Sequence, residues 1–316
     1  MIELILSQKY LIGLILIIVF SGFLYQTIIL GIRTYRGDFS GNIDLSQVKT
    51  DWIKIPKKDT DKFLWGAIYT KKPRGNDSNP QKEDKKPYVI LAHGMGGNLK
   101  DLDIMSVPLA LIGYKVVAFN QSGHGRGAHQ SPGNGKDYSV VMKDVHDIVD
   151  FILAQDDLDF DQEGKPRIAF IGASTGGLMA LTQAYKNPSI KMTVALSGIH
   201  DFRDLLAKED EYSLFSQSRL FLTMLKRMGV KLDYTEEENQ IISPKQCLKQ
   251  DSENKKRVFI LHCENDPLPI EEAKKNVKKA GIPPENYLFL KKGGHAFRAQ
   301  ETILAGVIQK WLYDNL

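Results

Sequence analysis

A series of short apolar runs, spaced by helical stretches, constrains this chain more than anything else in it. They are Tyr88–Ala92 (YVILA), Lys115–Phe119 (KVVAF), Arg167–Ile171 (RIAFI), Met192–Leu196 (MTVAL), Arg257–Leu261 (RVFIL) and Tyr287–Leu290 (YLFL). A strand with one wet face alternates polar and apolar residues. A strand that is apolar throughout needs cover on both faces. Such strands, alternating with the helices expected over Ser139–Ala154 and Gly176–Lys186, predict a mostly parallel sheet with helices on both sides, an α/β fold. Two further short strands are expected at Trp52–Ile55 and Phe63–Tyr69. Ligands of these sheets bind beyond the carboxyl ends of the strands, so the loops after the runs are where chemistry belongs.

The amino-terminal end obeys a different rule. From Tyr10 to Ile32 there are 23 residues without a charge. A helix rises about 1.5 Å per residue, so this length crosses a hydrocarbon core of roughly 30 Å. A cleaved secretory leader would have a shorter apolar segment and a small-residue cleavage site, and neither is found. A core helix would show a polar face. A single-pass membrane anchor over about residues 10–32 is therefore expected. Lys9 precedes it and Arg33 and Arg36 follow it, a small difference that leans toward a cytoplasmic carboxy-terminal domain. Asn76-Asp77-Ser78 and Asn120-Gln121-Ser122 match the glycosylation pattern, which would favour the opposite side. Tripeptides of this kind arise often by chance, and the second lies in an expected core loop. Residues 37–50 read as a polar linker and 51–316 as the α/β domain. Lys71–Lys86 has no apolar residue and reads as an exposed loop.

Composition excludes several function classes. The chain has 42 basic and 38 acidic residues, a net charge of only +4, which gives no ground for nucleic-acid binding. Cys247 and Cys263 make neither a disulfide framework nor a metal-site spacing.

The run RIAFI leads into Gly172-Ala173-Ser174-Thr175-Gly176-Gly177. This is G-x-S-x-G between an expected strand and an expected helix, the context of a nucleophile elbow. The turn is tight, so its flanks must lack bulky side chains, hence Gly172 and Gly176. A serine hydroxyl needs a base near neutral pH. His295, in Lys292-Gly293-Gly294-His295-Ala296-Phe297, follows the last strand. His93 and His124 also sit in glycine-rich loops after strands and compete with it. His200 and His262 read as packing or hydrogen-bonding residues, and His129 and His146 have no constellation around them. The acid that orients the base is sought in Leu261-His262-Cys263-Glu264-Asn265-Asp266-Pro267. Asp266 is the candidate, with Glu264 and Asp201 as rivals. Ser174, Asp266 and His295 then stand in the order nucleophile, acid, base. An oxyanion needs donors, and backbone amides of His93-Gly94-Met95-Gly96-Gly97 with that of Thr175 can supply them. This loop lacks the ending of a phosphate-binding P-loop.

The chain resembles the α/β-hydrolase-fold serine hydrolases, nearest to the monoacylglycerol lipase-like and serine aminopeptidase-like branch. The resemblance covers roughly Trp52 to Leu316 and rests on HGMGG, NQSGHGRG, GASTGG, CENDPLP and GGHAF in family order. It implies Ser174 as nucleophile, Asp266 as acid, His295 as base, and the N–H groups of Met95 and Thr175 as the oxyanion hole. One departure is visible. Asn120–Arg126 resembles the family's D-x-R-G-H-G-x-S, but Asn120 and Ser122 replace the usual Asp and Arg. The segment is structural in the family, which gives His124 a structural role.

Residues 199–256 are too many for one crossover helix and read as an inserted lid. Within it Leu214–Met228 is an apolar helix. It either packs on its own core or lines an acyl pocket or bilayer. The expectation is a membrane-anchored serine hydrolase that cleaves a carboxylic ester through an acyl-enzyme. The expected substrate is a small-molecule ester, such as a lipid or long-chain acyl ester. No metal or organic cofactor is expected. A peptidase or amidase, an acyltransferase, and a catalytically silent binding protein on the same fold are the alternatives.

Overall fold

A computed structural model describes residues 13, 15–22, 24, 45–58, 60–73, 85–213, 216–297 and 300–316. Eight strands form one sheet in the order β1-β2-β4-β3-β5-β6-β7-β8. They are β1 (Val48–Pro56), β2 (Phe63–Lys71), β3 (Tyr88–Ala92), β4 (Lys115–Phe119), β5 (Ile168–Ala173), β6 (Met192–Leu196), β7 (Val258–Cys263) and β8 (Tyr287–Leu290). β1 and β2 pair antiparallel, β2 joins β4 antiparallel, and every pair from β4 onward is parallel. All residues of β3, β5, β6 and β7 are buried, as runs covered on both faces require. One core layer contains Tyr88, Ile90, Phe170 and Ile260, and the other Val89, Leu91, Ile171 and Leu261. Consecutive residues thus point to opposite sides of the sheet.

The parallel register aligns the strand ends. Ala92 faces Phe119 and Gly172, Ala173 faces Leu196, Leu196 faces Leu261, and Cys263 faces Leu290. The loops expected to carry the chemistry therefore leave one edge of the sheet side by side.

Some boundaries differ from expectation. β1 starts at Val48, before Trp52, because its antiparallel ladder with β2 continues to Lys71. The helix expected over Ser139–Ala154 is divided into Tyr138–Val141 and Asp144–Leu153, and the intervening Met142 and Lys143 keep right-handed helical angles. The helix after the elbow runs Thr175–Met179 and then widens into a π-helical turn at Ala180–Ala184. Between β6 and β7 the chain builds helices Phe202–Ala207, Gln217–Arg227, Glu236–Ile242, Pro244–Cys247 and Asn254–Arg257. Helix Gln217–Arg227 buries Leu220, Phe221, Leu222 and Leu225. Leu214 and Phe215, expected in the same helix, lie outside the described residues.

Most of the expected anchor at 10–32 also lies outside them. Its described part, residues 15–22 with 13 and 24, is helical. Ile15, Leu16, Ile17, Ile18, Val19 and Phe20 there are exposed. Among the described residues no helix is long and apolar enough to cross a membrane. Of the Lys71–Lys86 loop, residues 74–84 are outside the described set.

Candidate active site

Ser174 follows β5 at the start of helix Thr175–Met179, with φ 55° and ψ −110°. A non-glycine residue at positive φ is strained, and the surroundings must enforce it. Backbone contacts do so here. A Cβ on Gly172 would fall 1.9 Å from the Gly176 carbonyl oxygen, and one on Gly176 would fall 2.0 Å from that of Ala92. The Ser174 N–H donates to Leu196 at 2.8 Å, and the Gly176 N–H to His93 at 3.2 Å. The elbow is thus fixed against β6 on one side and the loop after β3 on the other.

That loop presses on the serine. A Cβ on Gly94 would stand 3.0 Å from Ser174 Cβ and 3.6 Å from its Oγ. The Gly97 N–H closes a turn onto the Gly94 carbonyl at 3.1 Å, with Gly96 at φ 69°. Met95 lies in this turn, and Tyr138 Oη donates to its Sδ at 2.9 Å.

His93 cannot serve as the base. Its Nδ1 donates to the Gly94 carbonyl at 2.6 Å, and its Nε2 accepts the Gln121 N–H at 3.2 Å. Burial, together with the neighbouring His124, pushes its pKa down to about 3. His124 is also buried, with Nδ1 on the Ser122 carbonyl at 3.0 Å, and burial lowers its pKa. Both rings buttress the loops after β3 and β4.

His295 and Asp266 meet directly. His295 Nδ1 is 2.9 Å from Asp266 Oδ1 and 3.1 Å from Oδ2, and both side chains are buried. Asp266 Oδ1 also accepts the Leu268 N–H at 2.8 Å. Burial alone would push the Asp266 carboxyl up. The charge and hydrogen bond of His295, with the Leu268 N–H, outweigh it and hold Asp266 below the usual carboxylate range. The rivals are placed elsewhere. Glu264 is exposed, and the Asp201 carboxylate caps helix Phe202–Ala207 through the Asp204 N–H at 2.9 Å.

The His295 loop needs unusual backbone. Gly293, Gly294, Ala296 and Phe297 all have positive φ. Two side chains the sequence did not single out hold it. Asn265 Oδ1 accepts the Gly294 N–H at 2.9 Å, and Ser197 Oγ accepts the Ala296 N–H at 2.9 Å. Ser197 follows β6 as Ser174 follows the adjacent β5, so this bond draws the His295 loop to the edge of the sheet where Ser174 stands. Among the described residues Ser174 makes no hydrogen bond to His295, a contact that in hydrolases often tightens only with substrate bound.

The inserted segment reaches the same place. On helix Gln217–Arg227, Ser218 Oγ donates to the Pro267 carbonyl at 2.7 Å. The Phe221 ring lies 6.3 Å from that of His295. The helix therefore rests on the turn that carries Asp266 and lies beside the His295 imidazole.

Solved structures share this architecture. A puromycin-hydrolyzing peptidase of Mycobacterium tuberculosis superposes with TM-score 0.62 at 17% identity, over 85% of this chain and 39% of that one. An esterase of Pyrococcus furiosus gives TM-score 0.58 at 18% identity, covering 87% of this chain and 94% of its own. Est1E from Butyrivibrio proteoclasticus, solved with ferulic acid bound, gives 0.57 at 16%, covering 83% and 98%. At these identities the likeness concerns the fold. No match was found among curated proteins. The family model for serine aminopeptidase, S33, matches residues 83–268, more than half of the chain. With its eight-stranded sheet and elbow serine, the chain belongs to this family of α/β-hydrolase-fold serine hydrolases.

Proposed function

We propose that the protein cleaves carboxylic esters through an acyl-enzyme on Ser174, with His295 as base and Asp266 as the acid that orients it. The observation that carries this reading is the buried His295–Asp266 bond, delivered by Ser197 to the edge where the strained Ser174 stands. His295 Nε2 takes the Ser174 proton as Oγ bonds to the ester carbonyl carbon. The resulting oxyanion rests on the N–H groups of Met95 and Thr175. Collapse breaks the bond to the alcohol, which leaves with the proton from His295. Water then attacks the acyl-enzyme, gives its proton to His295, and the carboxylic acid departs as Ser174 recovers its own.

The insert at 199–256 acts as a lid over the site, with Phe221 and Ser218 at its contact with the base and acid. Residues 10–32 anchor the chain in a membrane, with the catalytic domain on the cytoplasmic side. The exposed apolar side chains from Ile15 to Phe20 support that reading. An enzyme so placed suits a lipid or long-chain acyl ester. A fluorophosphonate probe that labels the wild type and not Ser174→Ala supports the mechanism, and no labelling of folded protein refutes it. p-Nitrophenyl esters of increasing chain length, beside peptide anilides, test the substrate class. A preference for anilides makes the enzyme a peptidase or amidase. Release from membranes by alkaline carbonate argues against the anchor.

A further inference from the structure

His200 and His262 have no part in the chemistry above, yet both are buried imidazoles near Asp266. Their protons can be placed from their partners. His262 Nε2 lies 2.8 Å from the Leu268 carbonyl oxygen. A carbonyl only accepts, so this nitrogen carries the proton, and in the neutral ring Nδ1 is an acceptor. The same Leu268 donates its N–H to Asp266 Oδ1 at 2.8 Å. His262 thus grips the far side of the turn whose near side holds the carboxylate.

Asn276 sets the other ring. Its Nδ2 is 3.1 Å from the His200 carbonyl oxygen and 3.2 Å from His200 Nδ1. The carbonyl requires a donor, so the amide nitrogen is the end that faces His200. His200 Nδ1 therefore accepts, and its ring proton sits on Nε2. Burial holds the His200 pKa down to about 3, which keeps the ring neutral. His200 then offers a donor at Nε2, and His262 offers an acceptor at Nδ1. Among the described residues both atoms are buried without a partner. The ring centroids are 5.6 Å apart with planes at 59°. A buried polar atom left unpaired is costly, and a small ring rotation lets the donor of one satisfy the acceptor of the other.

We propose that His200 and His262 form a two-imidazole strut, running from Asn276 through His200 and His262 to the Leu268 carbonyl, that positions Asp266 for His295. This rests on the triad reading above. All the bonds of the strut point the same way, each ring accepting on Nδ1 and donating from Nε2. The helix that carries Asn276, Ile270–Ala280, is thereby coupled to the acid's turn.

The test uses full-length protein, with rates divided by the number of sites titrated by fluorophosphonate. His262→Phe keeps a ring and removes both bonds. A misplaced acid costs transition-state alignment, so kcat should fall roughly 10- to 100-fold while KM stays nearly constant. His262→Gln, whose amide nitrogen still reaches Leu268, should restore most of kcat. A purely packing role would lower the number of titrated sites and leave kcat per site unchanged, which overturns the proposal. Hydrolysis that survives Ser174→Ala overturns the triad reading instead, and the strut with it. If His262→Phe does not fold, heteronuclear NMR of the imidazole nitrogens in the wild type decides. Protonation of both rings at Nε2 supports the strut, and a His262 ring protonated at Nδ1 overturns it.

Discussion

Lys57 should matter far more than a lysine just past an edge strand ordinarily would. Its Nζ lies 2.5 Å from Asp144 Oδ1, 2.9 Å from Ser122 Oγ and 3.6 Å from Asp147 Oδ2. The Asp144 side chain is 0% exposed and also accepts the Ser122 N–H and Oγ–H, each at 2.7 Å. Lys57 thus brings a cation to the very position, 122, where the family's usual arginine is a serine. Lys57→Met would leave a buried carboxylate with two neutral donors. Removing one partner of a buried pair costs about 3–5 kcal/mol, part of it a charge-assisted bond worth about 1.5–3. Burial already raises the Asp144 pKa above its ordinary value, against the pull of Lys57. The substitution raises it further. An acid with a raised folded pKa binds its proton more tightly in the folded state, so stability is lost as pH rises through that pKa. The difference between variant and wild type should therefore be full at pH 8. It should shrink on acidification by about 1.4 kcal/mol per pH unit, between the pKa of the variant and that of the wild type. Urea unfolding at several pH values measures it, and Asp144→Asn in the Lys57→Met background should recover most of the loss. A cost below about 1 kcal/mol at pH 8, the range of an exposed pair, or one that does not change with pH, refutes the reasoning.

Gly176→Ala places a Cβ 2.0 Å from the Ala92 carbonyl oxygen, so it should yield little soluble protein or lose more than about 3 kcal/mol in denaturant unfolding. Ser197→Ala strips the Ala296 N–H of its buried acceptor; about 1–3 kcal/mol of loop stability should go, and kcat should drop at unchanged KM in steady-state assays. His93 and His200 are held neutral to about pH 3, so the unfolded chain alone takes up their protons below its ordinary histidine pKa. Stability should accordingly fall as pH drops from about 6.5 toward 5, approaching about 1.4 kcal/mol per unit for each ring, and a flat unfolding free energy over that window in urea titrations contradicts the burial argument.

Much of this fold can be read from the chain because a strand buried on both faces leaves an uninterrupted apolar run. The six parallel-sheet strands all fall on such runs, shifted by a residue or two at β5 and β7. The loops after them could be found for the same reason, and Ser174, Asp266 and His295 stand in those loops. The partners that hold the site could not. Ser197 is a serine after a strand, and only the return of the His295 loop across the sheet gives its hydroxyl a task. Lys57 is distant from Asp144 in sequence, and no local pattern marks that pairing. In the sequence His93 and His124 compete as bases because both stand in glycine-rich loops after strands. Burial and committed ring nitrogens remove them, and neither is visible without the third dimension.

The turn around Ser174 is held by main chain wedged against main chain, with Gly172, Gly176 and Ala92 leaving no gap for a methyl group. Such a mount offers mutation nothing to adjust. If the inserted helix covers the site as proposed, sequence drift can change which molecules arrive at the hydroxyl through residues such as Phe221, beside the His295 ring, while the hydroxyl itself stays put. New substrates would then be acquired by rewriting the cover and never the hinge pin beneath it.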